Sequence, residues 1–316
     1  MHAYILKRLL SAIPVLLIVS IVIFLIIHMT PGNPAAVILG EEATDVQIAE
    51  LEESLGLNLP IHEQYINWMG GVLQGDLGTS YFMKEPVTES IVSHLPPTLS
   101  LAIFAQIISL VIAIPIGVIA ANRRGSLTDT SIMIFALLGM SIPSFLLALF
   151  LILLFGVNLG WLPVAGYKEL ASGLIEHLKY LIMPAISLGA IQAALIARMT
   201  RSSMLEILNM NFIKSARAKG VKDFSIVLKH AFRNALLPIL TVIGQTFGTL
   251  ITGAVVTETI FNIPGIGQLI INSVERRDFA VIQGSVLFIT VLYVFLNLVI
   301  DLLYGVIDPR VRLDRK

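Results

Sequence analysis

Glu258 and Asp301 are carboxylates set inside long apolar runs. A charge at bilayer depth costs about 2.5–3.5 kcal/mol or more, so each must face protein or a water-filled path. Lining such a path is one role for them. A structural hydrogen bond, or a side chain reaching to the interface, is the plainer one. Gln106, Gln192, Gln245 and Asn297 pose the same choice more weakly, because polar groups in helical bundles more often join helices. Gln245, Glu258 and Asp301 are the candidates for a lined route. The other chemistry-bearing residues make no site. The six histidines, His2, His28, His62, His94, His177 and His230, are scattered, with no His-Glu-x-x-His pair for a metal. Ser141 lies in Gly139-Met140-Ser141-Ile142-Pro143, which lacks the second glycine of a nucleophile elbow and reads instead as a helix kink. There is no cysteine, so no disulfide or thiolate metal site exists. There is no Gly-Lys dipeptide, hence no Walker A phosphate loop.

A different kind of signal lies in Asn211 to Pro238, NFIKSARAKGVKDFSIVLKHAFRNALLP. Phe212–Lys219 form a basic helical turn, and Gly220 is placed to stop it. With Ile213 and Ala216 on one side, this turn is a compact knob for a partner's groove. Asp223 can cap a further helix through Ile226, Val227, His230 and Ala231. Taken by charge alone, these cations do no more than hold the loop on one side of a membrane.

The elements that position these residues follow from composition. Of 316 residues, 56% are hydrophobic and 13% charged, against roughly 25% charged in a soluble domain. Lipid must be the solvent for much of this chain. A net charge of zero argues against a nucleic-acid partner. Six runs reach the roughly 20 apolar residues that a span needs: Leu9–Met29, Leu99–Ala121, Thr130–Phe155, Tyr180–Met199, Leu236–Ile260 and Ala280–Ile307. The first reads as a retained span, since it is longer than a signal-peptide core and no small-x-small cleavage site follows. With a cytoplasmic N-terminus, about sixteen Lys and Arg fall inside and about five outside, which places both termini in the cytoplasm.

Two loops are long enough for structure. In the outer loop Thr30–Pro97, ten acidic residues face one Lys. Thr44 and Gln47 fit a capping box, Val46, Leu51 and Leu55 form one face of the helix behind it, and Gly56 ends that helix. A second helix runs from Pro60 to Leu73, with Tyr65 and Trp68 suited to the outer membrane interface. In the inner loop, 200–235, residues 202–209 continue the fourth span.

The Asn211–Pro238 stretch resembles that of ABC importer inner-membrane permeases, in particular the first of the two permeases in peptide systems. Thr30-Pro31-Gly32-Asn33-Pro34, Gln74-Gly75-Asp76-Leu77-Gly78-Thr79-Ser80, Glu258 to Gly267 (ETIFNIPGIG) and Asp308-Pro309-Arg310 carry the resemblance over the whole chain. It implies an all-α, type I importer permease bundle of about six transmembrane helices in a prokaryotic cell membrane. The division is a first helix plus acidic outer loop over 1–95, a permease domain over 96–305 and a cytoplasmic tail over 306–316. The stretch would be the coupling loop, whose general family pattern is Glu-Ala-Ala, three residues, Gly, nine residues, Ile-x-Leu-Pro. Aligned on Gly220, the first positions are Lys214, Ser215 and Ala216, and the end falls on His230 to Arg233. Only the Gly and one Ala match, so the docking role carries over better than any one contact. Ile213, Lys214, Ser215, Ala216, Arg217, Lys219, Gly220 and His230 are its expected coupling residues. The resemblance implies a non-catalytic subunit without cofactor, with ATP and magnesium held by two partner ATPase subunits. A second permease and an extracytoplasmic binding protein complete the assembly. Peptides are the implied cargo, and Glu258 would then attract a peptide's amino terminus. Relatives with the same pattern carry nickel chelates, glutathione, opines or oligosaccharides. A polytopic membrane enzyme is the alternative of another class, and it lacks a paired nucleophile and base or a metal cluster.

Overall fold

The computed structural model describes residues 2–29, 33–40 and 43–307. In chain order the helices are α1 (His2–Met29), α2 (Pro34–Leu39), α3 (Asp45–Ser54), α4 (Ile61–Leu73), α5 (Val87–Asn122), α6 (Leu127–Ser141), α7 (Ser144–Leu151), α8 (Leu174–Leu208), α9 (Asn211–Ala218), α10 (Asp223–Ser225), α11 (Arg233–Phe261), α12 (Ile266–Glu275) and α13 (Phe279–Ile307). Wider π-turns extend α7 over Ile152–Asn158 and join α10 to α11 over Ile226–Phe232. No strand occurs among the described residues.

Among the described residues, four helical stretches are long and apolar enough to cross a membrane: Val87–Asn122, Leu174–Leu208, Asp223–Phe261 and Phe279–Ile300. The apolar part of α1 adds Leu10–Ile26. The third expected span is not one helix. Leu127–Ser141 and Ser144–Asn158 meet at 97°. Pro143 has no amide hydrogen and pushes Ile142 out of the helical region, to φ −84° and ψ 120°. Ser141 donates its hydroxyl to the Leu137 carbonyl one turn before the break, so its role is in the kink. With this bent pair taken as one span, the count agrees with about six.

The chain divides into two compact units. One comprises 1–96 and 264–295, the other 97–263 and 296–316. In the first, Thr44 caps α3 in a capping box with Gln47, as expected, and Gly56 takes φ +66° just beyond it. The expected apolar face of α3 is left uncovered, with Val46 67% and Leu55 37% exposed. Tyr65 and Trp68 pack against α1. The Tyr65 hydroxyl lies 2.8 Å from Ser20 Oγ, and both rings pack on Phe24. Val87, Ile91, Ile266, Leu269 and Val281 form the apolar core of this unit. Beside it, Ser80 Oγ donates to Asp278 Oδ2 at 2.5 Å. That bond ties the Gln74–Ser80 motif to the start of α13.

The second unit is built around α8, which packs on α6, α7 and α11. Its 35 residues extend about 52 Å, well past a hydrocarbon core of about 30 Å. The expected continuation beyond the fourth span is therefore one unbroken helix to Leu208. Small residues let α5 approach it closely. A Cβ at Gly117 would stand 2.7 Å from the Ala197 carbonyl oxygen, and one at Gly189 would stand 2.8 Å from that of Ala105. Ser109 Oγ donates to the Gly189 carbonyl at 2.8 Å. Close backbone approach with short polar links is how helices associate where lipid removes the hydrophobic driving force.

Candidate functional site

The inner loop forms a short basic helix on an apolar base. α9 ends in a Schellman arrangement: Val221 N–H reaches the Ala216 carbonyl at 3.2 Å, and Gly220 N–H reaches that of Arg217 at 2.9 Å. Gly220 has φ +77°, a region where a Cβ costs about 1 kcal/mol or more. Ile213 does not point outward. It is fully buried with Ala121, Met204, Ile226, Val227, Ala231, Ala235 and Ile239, and that burial contributes about 1.5–3 kcal/mol. Ala216, on the same side, is half-buried. The apolar side of α9 is therefore turned into the chain's own core, a correction to the outward knob that periodicity alone implied. A 3.6-residue period defines an apolar face without saying whose groove receives it.

The exposed face carries Phe212, Lys214, Ser215, Arg217, Lys219 and Gly220. Phe212 is 43% exposed, and the neighbouring Phe224 and Leu228 are 77% and 43% exposed. Phe224 and Leu228 were absent from the sequence expectation, and Phe212 entered it only as the start of the basic turn. An apolar side chain left uncovered in a basic loop was the available signal. Asp223 is the first residue of α10 and not its cap. Its carboxylate lies 3.7 Å from Arg217 Nε, both well exposed. Such a pair contributes little. His230 is half-buried on the π-turn between α10 and α11.

The three route candidates fare differently. Glu258 is fully buried and accepts from Thr98 Oγ1 at 2.6 Å. Its backbone carbonyl accepts from Ile263 N–H where α11 ends at Asn262, in the left-handed region. The chain itself covers this carboxylate, which favours the helix-joining role. Gln245 is exposed and lines a cleft of about 540 Å³ between α8 and α11, with Gln192, Arg198, Ser202, Thr246 and Thr249. Asp301 falls on α13, and its side chain lies outside the described residues, as do Thr30-Pro31-Gly32 and Asp308-Pro309-Arg310.

One buried ion pair was not foreseen. Arg201 Nε and NH2 bond Asp129 Oδ1 and Oδ2 at 2.6 and 2.7 Å, and Gly125 N–H adds a third bond at 3.0 Å. Asp129 is 3% exposed. The pair fastens the first turn of α6 to α8 shortly before the loop that holds α9.

The chain matches the family model "Binding-protein-dependent transport system inner membrane component" over residues 113–313, and its N-terminal companion over 1–102. It is 44% identical to the dipeptide transport system permease protein of Alkalihalophilus pseudofirmus, over 99% of this chain and all of the relative. It is 42% identical to the glutathione transport system permease protein of Salmonella choleraesuis, over 98% of each. Among solved structures, an inward-facing MetNI methionine ABC transporter chain aligns with TM-score 0.59 and 20% identity, over 69% of this chain and 96% of that one. That likeness shows the shared fold. The chain belongs to the family of binding-protein-dependent transport system inner-membrane components.

Proposed function

We infer that this chain is one permease subunit of an ATP-driven importer, that its cargo is peptides, and that α9 is the element through which ATPase subunits move it. The observation that carries the coupling role is the construction of α9. Ile213 roots it in the chain's own core, Gly220 closes it, and Phe212, Ser215 and Lys219 are left facing outward with Phe224 nearby. A topogenic loop needs charge; it does not need a rooted helix with uncovered aromatic residues. On this reading Lys214, Ser215, Arg217, Lys219 and Gly220 meet the ATPase, while Ile213 and Ala216 hold the helix that presents them. His230 sits on the π-turn that connects this movement to α11.

The working parts are the outer segment over 1–95, the permease domain over 96–305 and the tail over 306–316. The assembly holds a second, homologous permease, two ATPase subunits that bind ATP and magnesium, and an extracytoplasmic binding protein. The peptide cargo rests on the relatives, one a permease of a dipeptide system and one of a glutathione system. Nucleotide on one side and the loaded binding protein on the other would bias one two-state bundle.

The test is to express the chain with and without its partners and follow peptide uptake and ATP hydrolysis. Uptake and peptide-stimulated hydrolysis are expected only from the full set. Hydrolysis by this chain alone, free of contaminating ATPase, would overturn the subunit reading.

A further inference from the structure

The cleft between α8 and α11 has the chemistry of a carboxylate site. Its walls are two helical stripes. Gln192, Leu195, Arg198, Met199 and Ser202 lie on α8, and Val242, Gln245, Thr246 and Thr249 on α11. Arg198, Gln245 and Thr249 are exposed, although these stripes belong to helices long and apolar enough to cross a membrane. The amide of Gln245 lies within the fifth span and needs protein or water around it, and the Arg198 guanidinium stands at the end of the fourth, within reach of water. No acidic residue lies among the described residues lining the cleft, so its fixed charge is positive and uncompensated. Gln192 donates its amide to Thr249 Oγ1 at 3.1 Å. Its Oε1 is buried without a hydrogen-bond partner within the chain, and a buried acceptor left so costs free energy until a donor arrives. The cleft therefore offers a cation for an anion and, once the Gln192 amide turns to uncover its oxygen, an acceptor for an N–H.

We propose that Arg198 receives the C-terminal carboxylate of the transported peptide, while Gln192 Oε1 accepts from one of its N–H groups. Six helical residues separate the two, about 9 Å along the axis. Three extended residues at about 3.3–3.6 Å each cover that span. Gln245, Ser202 and Thr249 supply further polar contacts that do not depend on the peptide's side chains. Arg198 thereby selects a feature common to all free peptides. The proposal rests on the peptide-importer reading.

The complete transporter, reconstituted with its second permease, ATPases and binding protein, permits the test. The probes are trialanine and its C-terminal amide, each supplied at a concentration that saturates the binding protein. ATP-dependent trialanine uptake by the unaltered transporter checks the underlying reading separately; its absence would sink that reading. Arg198→Gln should lower trialanine uptake about ten-fold or more, the worth of a charge-assisted bond. Uptake of the amide should change little, and membrane abundance and ATPase co-purification should not change. Arg198→Lys should recover part of the loss. Because the chain has no cysteine, Gln245→Cys gives a readout independent of turnover. It should react with a water-soluble sulfonate thiol reagent in inside-out vesicles. Trialanine should slow that reaction when Arg198 is present and not in the Arg198→Gln background. Equal losses for both probes, unchanged trialanine uptake, or a residue 245 thiol sealed from water would each overturn the proposal. The last outcome would mean that the second permease fills the cleft.

Discussion

At the residue scale, the proposed coupling role gives neighbours on α9 opposite duties, and substitutions should separate them. Phe212→Ala and Phe224→Ala remove aromatic side chains that are 43% and 77% exposed. Membrane abundance should hold while ATPase co-purification falls roughly ten-fold, as for a truncated interface anchor. Ile213→Ala instead empties a fully buried site, a change that costs about 2–5 kcal/mol. It should lower thermal stability of the detergent-solubilised chain before any partner is added. If Phe212→Ala destabilises the isolated chain as much as Ile213→Ala, α9 has no distinct outer face. Gly220→Val strains a backbone at φ +77° and should weaken coupling without preventing insertion. The glycine and the basic turn were legible because stop signals are local. The inward aim of Ile213 was not, because its partners Met204, Ile226 and Ile239 come from three other segments. Glu258 follows the same logic: its sequence position showed a costly carboxylate, and only packing revealed that Thr98 meets it.

At the element scale, the clamp between α6 and α8 is the feature periodicity could least reveal. Asp129 and Arg201 are 72 positions apart, and neither disturbs an apolar pattern. Breaking a buried pair strands a charge and costs about 3–5 kcal/mol. Asp129→Asn and Arg201→Ala should each lower the thermal midpoint and peptide uptake together. Combining Asp129→Arg with Arg201→Asp should restore part of both, since the partners face each other in a two-pronged geometry. Equal damage in the double variant and in the singles would mean that size, and not pairing, matters at these positions. Outside the spans, α3 and α4 should resist proteolysis in the assembled transporter, because α3 carries a complete capping box and α4 is tied to α1 through Tyr65 and Trp68. Rapid cleavage within 44–73 would count against a structured outer segment. The capping box was readable from four consecutive residue types. The 97° break after α6 was not, since Pro143 announces a kink without its angle.

At the scale of the whole molecule, charge and helix length make one argument about orientation. About sixteen Lys and Arg fall on one set of segments and about five on the other, and that bias sets topology. Helix α8 adds an independent constraint. It outlasts the hydrocarbon core by about 20 Å, and its overhang leads directly into α9. The overhang and the basic loop must therefore share a side, whichever side that is. On the proposed orientation the cation excess marks that side as the cytoplasm, where ATP would be available to a docked partner. Reporter fusions after Arg124, within Arg201–Arg233 and at the C-terminus should accordingly show a cytoplasmic signal, and fusions near Glu50 and Ala171 an external one. The bent α6–α7 pair makes Ala171 the deciding position. If the pair crosses the bilayer, Arg124 and Ala171 report opposite sides; if it turns back, they report the same side. Matching signals at these two positions would remove one span, put the outer loop and the basic loop on one side, and leave α9 without access to an ATPase.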